Sequence, residues 1–168
     1  MSTHWYALHS KPMKEDLLWE QLSLHQIESY YPRIRVKPVN PRSRKIKPYF
    51  PGYVFACVDL ERTNLSVLQW MPGSTGIVAF DGTPATVPDN LIDAIRRRVD
   101  EINAAGGELF EGLKTGESVV IQGGPFSGYE AIFDARLSGD ERVRVLLRLL
   151  NKQLPLELPS GQIQRKKP

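Results

Sequence analysis

The side chains most able to do chemistry in this chain are three histidines, His4, His9 and His25, and a single cysteine, Cys57. His4 and His9 are five residues apart, so on a regular strand they point to opposite faces, which is a poor start for a metal site. Cys57 lies inside an apolar run without an obvious base, and one cysteine allows neither an internal disulfide nor a multi-cysteine metal set. These residues predict no catalytic centre and no cofactor.

The glycine-rich stretch VVIQGGPFSG (residues 119–128) is the other segment that could serve a reaction, by binding a phosphate group. It lacks the Lys-Ser/Thr pair of a P-loop, and it does not open a helix. A nucleotide site is therefore not expected, and the chain is predicted not to be an enzyme.

Positive charge is concentrated in one segment. The formal net charge is only +3, yet residues 29–58 contain no acidic residue. Such a patch can attract phosphate groups or an acidic surface, although a solvated loop that keeps the protein soluble is an alternative. The basic residues of this segment are Arg33, Arg35, Lys37, Arg42, Arg44, Lys45 and Lys47.

Length and composition suit a protein with one large or two small domains. The chain has 168 residues, of which 41% are apolar, enough to bury a core without disulfides. No run approaches 18 uninterrupted apolar residues, and the first residues do not read as a secretory signal. A cytoplasmic protein without a membrane partner is expected.

Apolar periodicity predicts an α+β first half, with helices packed on an antiparallel sheet. A short helix or turn is expected at 60–71, and a loop or hairpin tip at 37–48, where prolines and basic residues crowd. The strand at 52–60 is expected to be central. Strands are predicted at 4–10, 28–36, 52–60 and 75–80, and helices at 11–24 and 87–102, the second with Ile92, Ile95, Val99 and Ile102 on one face.

Composition changes at NAAGGE (103–108), which is the best candidate for a linker. After it, Gly, Pro and Asp turns separate five short segments with the spacing of strands. Five strands in about sixty residues suggest a small barrel. The segments are ESVVIQ, YEAIFDARL, RVRVLLRLL, LPLEL and GQIQR.

The segment GESVVIQGGPFSGYEAIF (116–133) resembles the KOW motif, which is a strand, a Gly-Pro-Phe turn and a return strand entered through a further glycine. Gly124 and Gly128 permit backbone angles that a Cβ would block, and Pro125 fixes one torsion between them. Phe126 is expected at the tip of this turn.

Three segments of the first half, followed by a linker and the KOW-like segment, resemble the NusG family of transcription elongation factors. Their order and spacing match the amino-terminal domain of the family, and the resemblance covers nearly the whole chain. FPGYVF (50–55) is the most specific element, and PGSTGIVAF (72–80) is the next. The segments are WYALHSKPMKEDLLWEQL, FPGYVFACVD and MPGSTGIVAFDGTPATVPDNLIDAI.

The resemblance implies a protein that binds RNA polymerase and has no catalysis of its own. It implies an NGN-like domain over residues 1–104, a flexible linker over 105–112 and a five-stranded KOW β-barrel over 113–168. The first domain would dock on the clamp helices of the largest polymerase subunit, and the KOW domain would recruit a ribosomal protein or a termination factor. A monomer is expected.

The resemblance also suggests which residues make these contacts. Tyr53 and Phe55 share one face of their strand, which is either docking surface or ordinary core. Lys11 matches a position near the upstream edge of the DNA bubble, which suggests contact with non-template DNA, or else it is a solvated lysine. The assigned residues are Tyr6, Phe50, Tyr53 and Phe55 for the polymerase, Lys11, Arg42, Arg44, Lys45 and Lys47 for nucleic acid, and Phe126 for the KOW partner.

Two departures from the family pattern concern the second half. Ala131 stands where KOW motifs have a glycine, and with LLNKQ (149–153) this is closer to the specialised paralogue RfaH. The ending LPLELPSGQIQRK instead resembles housekeeping NusG. The chain is most similar to a NusG-type specialised antitermination factor.

The segment RVRVLLRLL (142–150) fits both a strand and a helix. A strand places Val143 and Val145 on one face with Leu147 and Leu149, whereas a helix groups Val143 with Leu146, Leu147 and Leu150. In RfaH this domain switches between a helical hairpin and a barrel. Pro155 and Pro159 would interrupt a long second helix, so the barrel is predicted here.

A ribosome-associated or RNA-binding KOW protein is the alternative function. It would need only RNA and the basic segment, with its phosphate contacts at 33–47. The polymerase-binding function needs the docking aromatics instead.

Overall fold

A computed structural model describes residues 3–35, 46–104, 119–120, 138–151, 157–158 and 164–165. The chain divides into a first unit, Met1–Pro32 with Pro51–Ala94, and a second unit, Arg33–Phe50 with Ile95–Pro168. The domain boundaries proposed from sequence at 104 and 113 stay a prediction.

The helices and strands are numbered in chain order. They are β1 (His4–Ser10), α1 (Glu15–Leu24), β2 (Glu28–Tyr30), β3 (Arg33–Arg35), β4 (Ile46–Pro48), β5 (Tyr53–Val58), α2 (Leu65–Gln69), β6 (Ser74–Ile77), β7 (Ala79–Phe80), β8 (Thr83–Pro84), β9 (Thr86–Val87), α3 (Asp89–Ala104), β10 (Val119–Val120), α4 (Gly139–Leu150), β11 (Glu157–Leu158) and β12 (Gln164–Arg165).

The first unit is built on an antiparallel sheet with the strand order β2-β5-β1-β6, and β9 also pairs with β1. The prediction that the FPGYVF strand is central is confirmed, because β5 lies between β2 and β1. The α+β class is confirmed as well.

Alternate residues of β5 contribute their side chains to the core of this unit. Val54, Ala56 and Val58 point to the same face and form a buried cluster with Tyr6 and Leu8 of β1. Buried leucines of α1 and α2 complete the cluster: Leu18, Leu22 and Leu68. The same face that is apolar on the strands therefore receives the apolar stripes of both helices.

Two predicted strands are interrupted in the structure. The strand predicted over 28–36 is two strands, β2 and β3, because Pro32 between them has no N–H to give to a ladder. The strand predicted over 75–80 is likewise divided at Val78, whose N–H donates to Ala7 O at 2.8 Å.

A tight turn joins α2 to β6 against the start of α1. Gly73 has φ +88°, and a Cβ at this position would lie 3.1 Å from Leu18 N and 3.2 Å from Lys14 O. Both neighbours are backbone atoms, which cannot rotate away as a side chain would. A glycine at position 73 therefore permits both the positive φ and the close approach to the backbone of α1.

Replacing Gly73 by alanine should destabilise the protein by about 2–4 kcal/mol, because the left-handed backbone and the crowding each add a cost. Gly82→Ala is the matched control, since Gly82 has φ +78° and open space around its missing Cβ. Urea unfolding of both variants measures the difference. Equal losses in the two variants would show that the close approach contributes nothing.

In the second unit, β3 and β4 pair antiparallel, with Ile34 opposite Lys47. Of the loop or hairpin tip predicted over 37–48, residues 46–48 are strand β4 and the others lie outside the described residues. The side chain of Asn103, near the end of α3, holds this pair of strands. Its Oδ1 accepts from Arg35 N at 2.8 Å, and its Nδ2 donates to Arg33 O at 3.2 Å. The predicted apolar face of α3 is buried: Ile92, Ile95, Val99 and Ile102.

The strand predicted for RVRVLLRLL is wrong, because these residues belong to helix α4. Its start is a capping box. Ser138 Oγ accepts from Glu141 N at 3.1 Å, and Glu141 Oε2 accepts from Ser138 N at 3.2 Å, which satisfies two of the free N–H groups of the first turn. Pro155 and Pro159 lie beyond the helix and do not interrupt it.

The remaining described pieces of the second half form a short antiparallel sheet with the order β11-β10-β12. These strands fall inside three of the predicted segments, ESVVIQ, LPLEL and GQIQR. The predicted strand YEAIFDARL and the KOW turn lie outside the described residues.

Candidate functional site

Tyr53, the first residue of β5, lies beside His9 of β1 in the register of the sheet. Their ring centroids are 4.8 Å apart with an interplanar angle of 32°, which is within the range of favourable aromatic pairing. Tyr53 is half-buried and His9 is exposed. The pair therefore forms an aromatic surface at one end of the central strands.

Thr75 of β6 fixes the ring of His9. Its hydroxyl donates to His9 O at 3.1 Å and lies 2.7 Å from His9 Nδ1. These two contacts hold the imidazole in one orientation beside Tyr53.

The turn before Tyr53 is held by a buried carboxylate. Glu15 is 8% exposed, and its Oε2 accepts from Gly52 N at 3.0 Å. Gly52 O in turn accepts from Ser10 N at 2.8 Å. A charge-assisted bond to a backbone N–H is among the stronger hydrogen bonds of proteins, so the position of Tyr53 is well determined.

Three of the four aromatics predicted to contact the polymerase are buried. Tyr6 is 6% exposed, and Phe50 and Phe55 are fully buried. Tyr6 points into the core of the first unit, and Phe55 stacks on Tyr30 of β2 at 6.4 Å. The expectation of an uncovered aromatic face therefore applies to Tyr53 and not to the other three; their contact with the polymerase stays a prediction.

Phe50 belongs to an aromatic cluster of the second unit that includes a buried arginine. Its ring meets Tyr49 edge to face at 5.1 Å. Arg142 of α4 lies over the Tyr49 ring, with Cζ 3.9 Å from the centroid, and its Nη1 donates to Tyr49 O at 2.9 Å. Arg142 is 1% exposed, so its charge is buried and these contacts stabilise it there.

Burial changes the acid–base behaviour of three groups. Desolvation raises the pKa of the Tyr53 phenol above its ordinary value. Desolvation, and then the charges of Asp59 and Cys57, raise the pKa of Tyr6. The pKa of the Cys57 thiol is also raised, mainly by burial, so this thiol is a poor nucleophile at neutral pH. Tyr53 therefore presents a neutral O–H donor at the surface.

Comparison with known proteins shows the family of this chain. Residues 3–96 match the family model described as "Transcription termination factor nusG", which is more than half of the chain. The chain belongs to the NusG family. Members of this family act as transcription termination and antitermination factors, and the family model and curated relatives are named for that role rather than for a catalysed reaction.

Curated relatives extend the NusG similarity along most of the chain. The "Transcription termination/antitermination protein NusG" of Deinococcus radiodurans is 24% identical, with 98% of this chain and 100% of the relative covered. The protein of the same name from Streptomyces griseus is 27% identical over 96% of this chain but only 62% of its own length. The solved structure "Domain interaction in Thermotoga maritima NusG" is 22% identical with a TM-score of 0.40, over 75% of this chain and 76% of that one.

The residues assigned to nucleic acid in this NusG-family chain are only partly described. Lys11 is exposed in the turn before α1, and Lys47 is half-buried in β4. The structure does not bring these two lysines into one unit. Arg42, Arg44, Lys45 and the KOW residue Phe126 lie outside the described residues.

Among the described residues of this NusG-family chain, no helix is both long enough and apolar enough to cross a membrane. No group of three or more His, Cys, Asp or Glu side chains there is arranged to hold a metal ion.

Sequence reasoning missed His9, Thr75 and Arg142 as parts of these sites. His9 reaches Tyr53, and Thr75 reaches His9, only through the pairing of β1 with β5 and β6, which no local sequence pattern shows. Arg142 is one of three arginines in RVRVLLRLL, and the strand interpretation placed all three together on the face opposite Val143 and Val145. Nothing in the sequence distinguishes it from Arg144 and Arg148, which are exposed.

Proposed function

We propose that this protein is a transcription elongation and antitermination factor that binds RNA polymerase through the surface formed by Tyr53 and His9. The partner surface is the pair of clamp helices of the largest polymerase subunit. The observation that carries the proposal is the rigid, partly exposed aromatic pair on a chain of the NusG family. Aromatic side chains in this setting are typical energetic centres of protein interfaces.

The structure around Tyr53 favours binding without rearrangement of this surface. Thr75 holds His9, and the Glu15–Gly52 bond holds the turn before Tyr53. A partner then loses little conformational entropy in ordering these side chains, which leaves more of the contact energy as affinity. The neutral phenol of Tyr53 adds a hydrogen-bond donor at the edge of an apolar contact. Recovery of RNA polymerase with the Tyr53→Ala variant tests the assignment directly.

The burial of Phe50 adds a condition to the proposal. Phe50 packs on Tyr49, and Tyr49 binds Arg142 of α4 through its ring and its carbonyl. Phe50 can join the polymerase contact only if this cluster opens. We propose that opening separates α4 from Tyr49 and precedes full engagement of the polymerase, and that Phe126 then contacts a ribosomal protein or a termination factor.

RNA binding through the basic segment is the second candidate function, and the absence of acidic residues from 29–58 favours it. Replacing its four central basic residues by alanine should weaken RNA binding and make its salt dependence shallower. Each lost phosphate contact lowers the slope of log K against log salt by about 0.7 on a single strand. The variant combines Arg42→Ala, Arg44→Ala, Lys45→Ala and Lys47→Ala.

A filter-binding series between low and moderate salt measures this slope. Unchanged affinity and slope would remove the basic segment as a nucleic-acid contact. Polymerase recovery by the same fourfold variant separates the two functions, since the polymerase proposal expects it to be retained.

A further inference from the structure

The carboxamide of Asn103 bonds the outer edge of strand β3. In the part of the chain that the structure describes, β3 has one strand partner, β4, on its other edge. Asn103 Oδ1 accepts from Arg35 N, and Asn103 Nδ2 donates to Arg33 O. These two backbone groups are two residues apart and point to the edge that β4 leaves open. One side chain therefore makes the bonds that a residue of a neighbouring strand would make.

The pair of strands that Asn103 bonds is short. Its ladder has three residue pairs, and Pro48 supplies no N–H to it. Two paired strands of this length are marginally stable in water by themselves. Ile34 is fully buried, whereas Arg33 and Arg35 on the opposite face of β3 are exposed. The buried residue fixes one face of the strand, and the Asn103 bonds fix the backbone of the two arginines.

Asn103 is supported by a well-packed part of α3. Ile95, Val99 and Ile102 of this helix are buried. Asn103 itself is half-buried and lies one residue before Ala104, where the helix ends. Because the apolar side chains anchor the helix, the carboxamide that projects from it is a fixed point for β3.

The Asn103 bonds suit positioning better than they suit stability. Both are exposed to solvent, so water can replace each of them when it breaks, and the net loss of stability is small. The buried side chain of Ile34 still holds β3 when they are absent. What increases is the conformational freedom of the backbone that carries Arg33 and Arg35.

We propose that Asn103 is a positioning residue for phosphate binding, which holds β3 so that Arg33 and Arg35 bind neighbouring phosphates of RNA. The inference rests on the second candidate function, RNA binding through the basic segment. Residues two apart on a strand have α-carbons about 6.5 Å from each other, so a held β3 presents two guanidinium groups at a fixed spacing. A guanidinium binds a phosphate through two directed bonds, and a pair that is ordered in advance loses less entropy on binding.

Filter binding of a short single-stranded RNA to the full-length protein tests this role. Asn103→Ala should weaken binding about threefold to tenfold, because the two arginines must then be ordered when the RNA binds. The slope of log K against log salt should stay the same, since no cation is removed. Asn90→Ala is the matched control, because it makes the same substitution at an exposed residue near the start of α3. The control should change neither quantity, and both variants should unfold near the temperature of the parent.

Hydrogen exchange of the Arg35 backbone amide, followed by NMR, measures the Asn103 bond without RNA. This amide should exchange about tenfold faster in Asn103→Ala, whereas Asn103→Asp keeps an acceptor and should leave it protected. Unchanged exchange in Asn103→Ala, or faster exchange with undiminished RNA binding, would overturn the inference.

The fourfold basic variant separates this inference from the RNA-binding function. If that variant loses RNA binding while Asn103→Ala retains it, the basic segment binds RNA and the positioning role is wrong. If Asn103→Ala binds more weakly while the fourfold variant binds like the parent, the positioning role stands and the four central basic residues are not the contact.

Discussion

RNA polymerase should no longer co-purify with the Tyr53→Ala variant. The substitution removes the one predicted docking aromatic that reaches the surface and leaves His9 without its ring partner. Truncation of an aromatic at the centre of an interface commonly costs about 2 kcal/mol or more, which is a loss of roughly thirtyfold in affinity. Pull-down of polymerase from lysate with tagged protein, followed by titration with purified polymerase, measures the effect.

Two control variants make this result specific. Tyr53→Phe retains the ring and loses the neutral donor, so it should retain most of the affinity. Trp70→Ala removes another exposed aromatic of the same unit and should leave polymerase recovery unchanged. Nonspecific RNA binding by Tyr53→Ala should barely alter, and its thermal unfolding should stay near that of the parent because Tyr53 is not a core residue. Normal polymerase recovery with Tyr53→Ala would refute the assignment.

Local pattern was sufficient to predict the strand that carries Tyr53. Alternation over YVFACV placed Val54 and Ala56 on one face and Tyr53 and Phe55 on the other, and the core cluster contains the first pair. The same reasoning could not tell how much of the second face is exposed. Phe55 is fully buried and Tyr53 only half-buried, because Phe55 lies opposite Tyr30 of β2 and Tyr53 extends beyond the end of that strand pair.

Local sequence pattern alone could not predict that helix α4 is a helix and not a strand. RVRVLLRLL satisfies both periods, and its capping signal, Ser138 with Glu141 three residues later, lies before the segment. The buried face of the helix includes Arg142 with Val145, Leu146 and Leu150. A buried arginine is acceptable only where a partner receives it, and that partner, Tyr49, is 93 residues away in sequence.

Replacing Arg142 by alanine should loosen α4 and increase polymerase binding. The variant loses a buried cation–π contact and a charged hydrogen bond, each worth about 2 kcal/mol, and it leaves Tyr49 O without this donor. Backbone amides of 142–150 should then exchange hydrogen faster, and so should those near Tyr49 and Phe50. Hydrogen–deuterium exchange with peptide resolution measures both segments in one experiment.

Three further variants separate the contributions to this cluster. Arg142→Lys keeps the charge but loses the planar guanidinium, which stacks on the Tyr49 ring and bonds the Tyr49 carbonyl at the same time. It should therefore recover only part of the stability that Arg142→Ala loses. Tyr49→Leu removes the ring and retains the carbonyl, which isolates the cation–π contact. Ser138→Ala weakens the helix by about 1 kcal/mol at its start without touching Tyr49.

If opening of the Tyr49–Arg142 cluster limits access to Phe50, polymerase affinity should rise in the order Ser138→Ala, Arg142→Lys, Arg142→Ala, in parallel with amide exchange in α4. The double variant Arg142→Ala with Tyr53→Ala should return to weak binding, because opening the cluster cannot replace the first contact. Faster exchange without any gain in affinity would mean that the cluster stabilises α4 alone and that Phe50 takes no part in docking. Unchanged exchange in Arg142→Ala would contradict the energetic role given to the arginine itself.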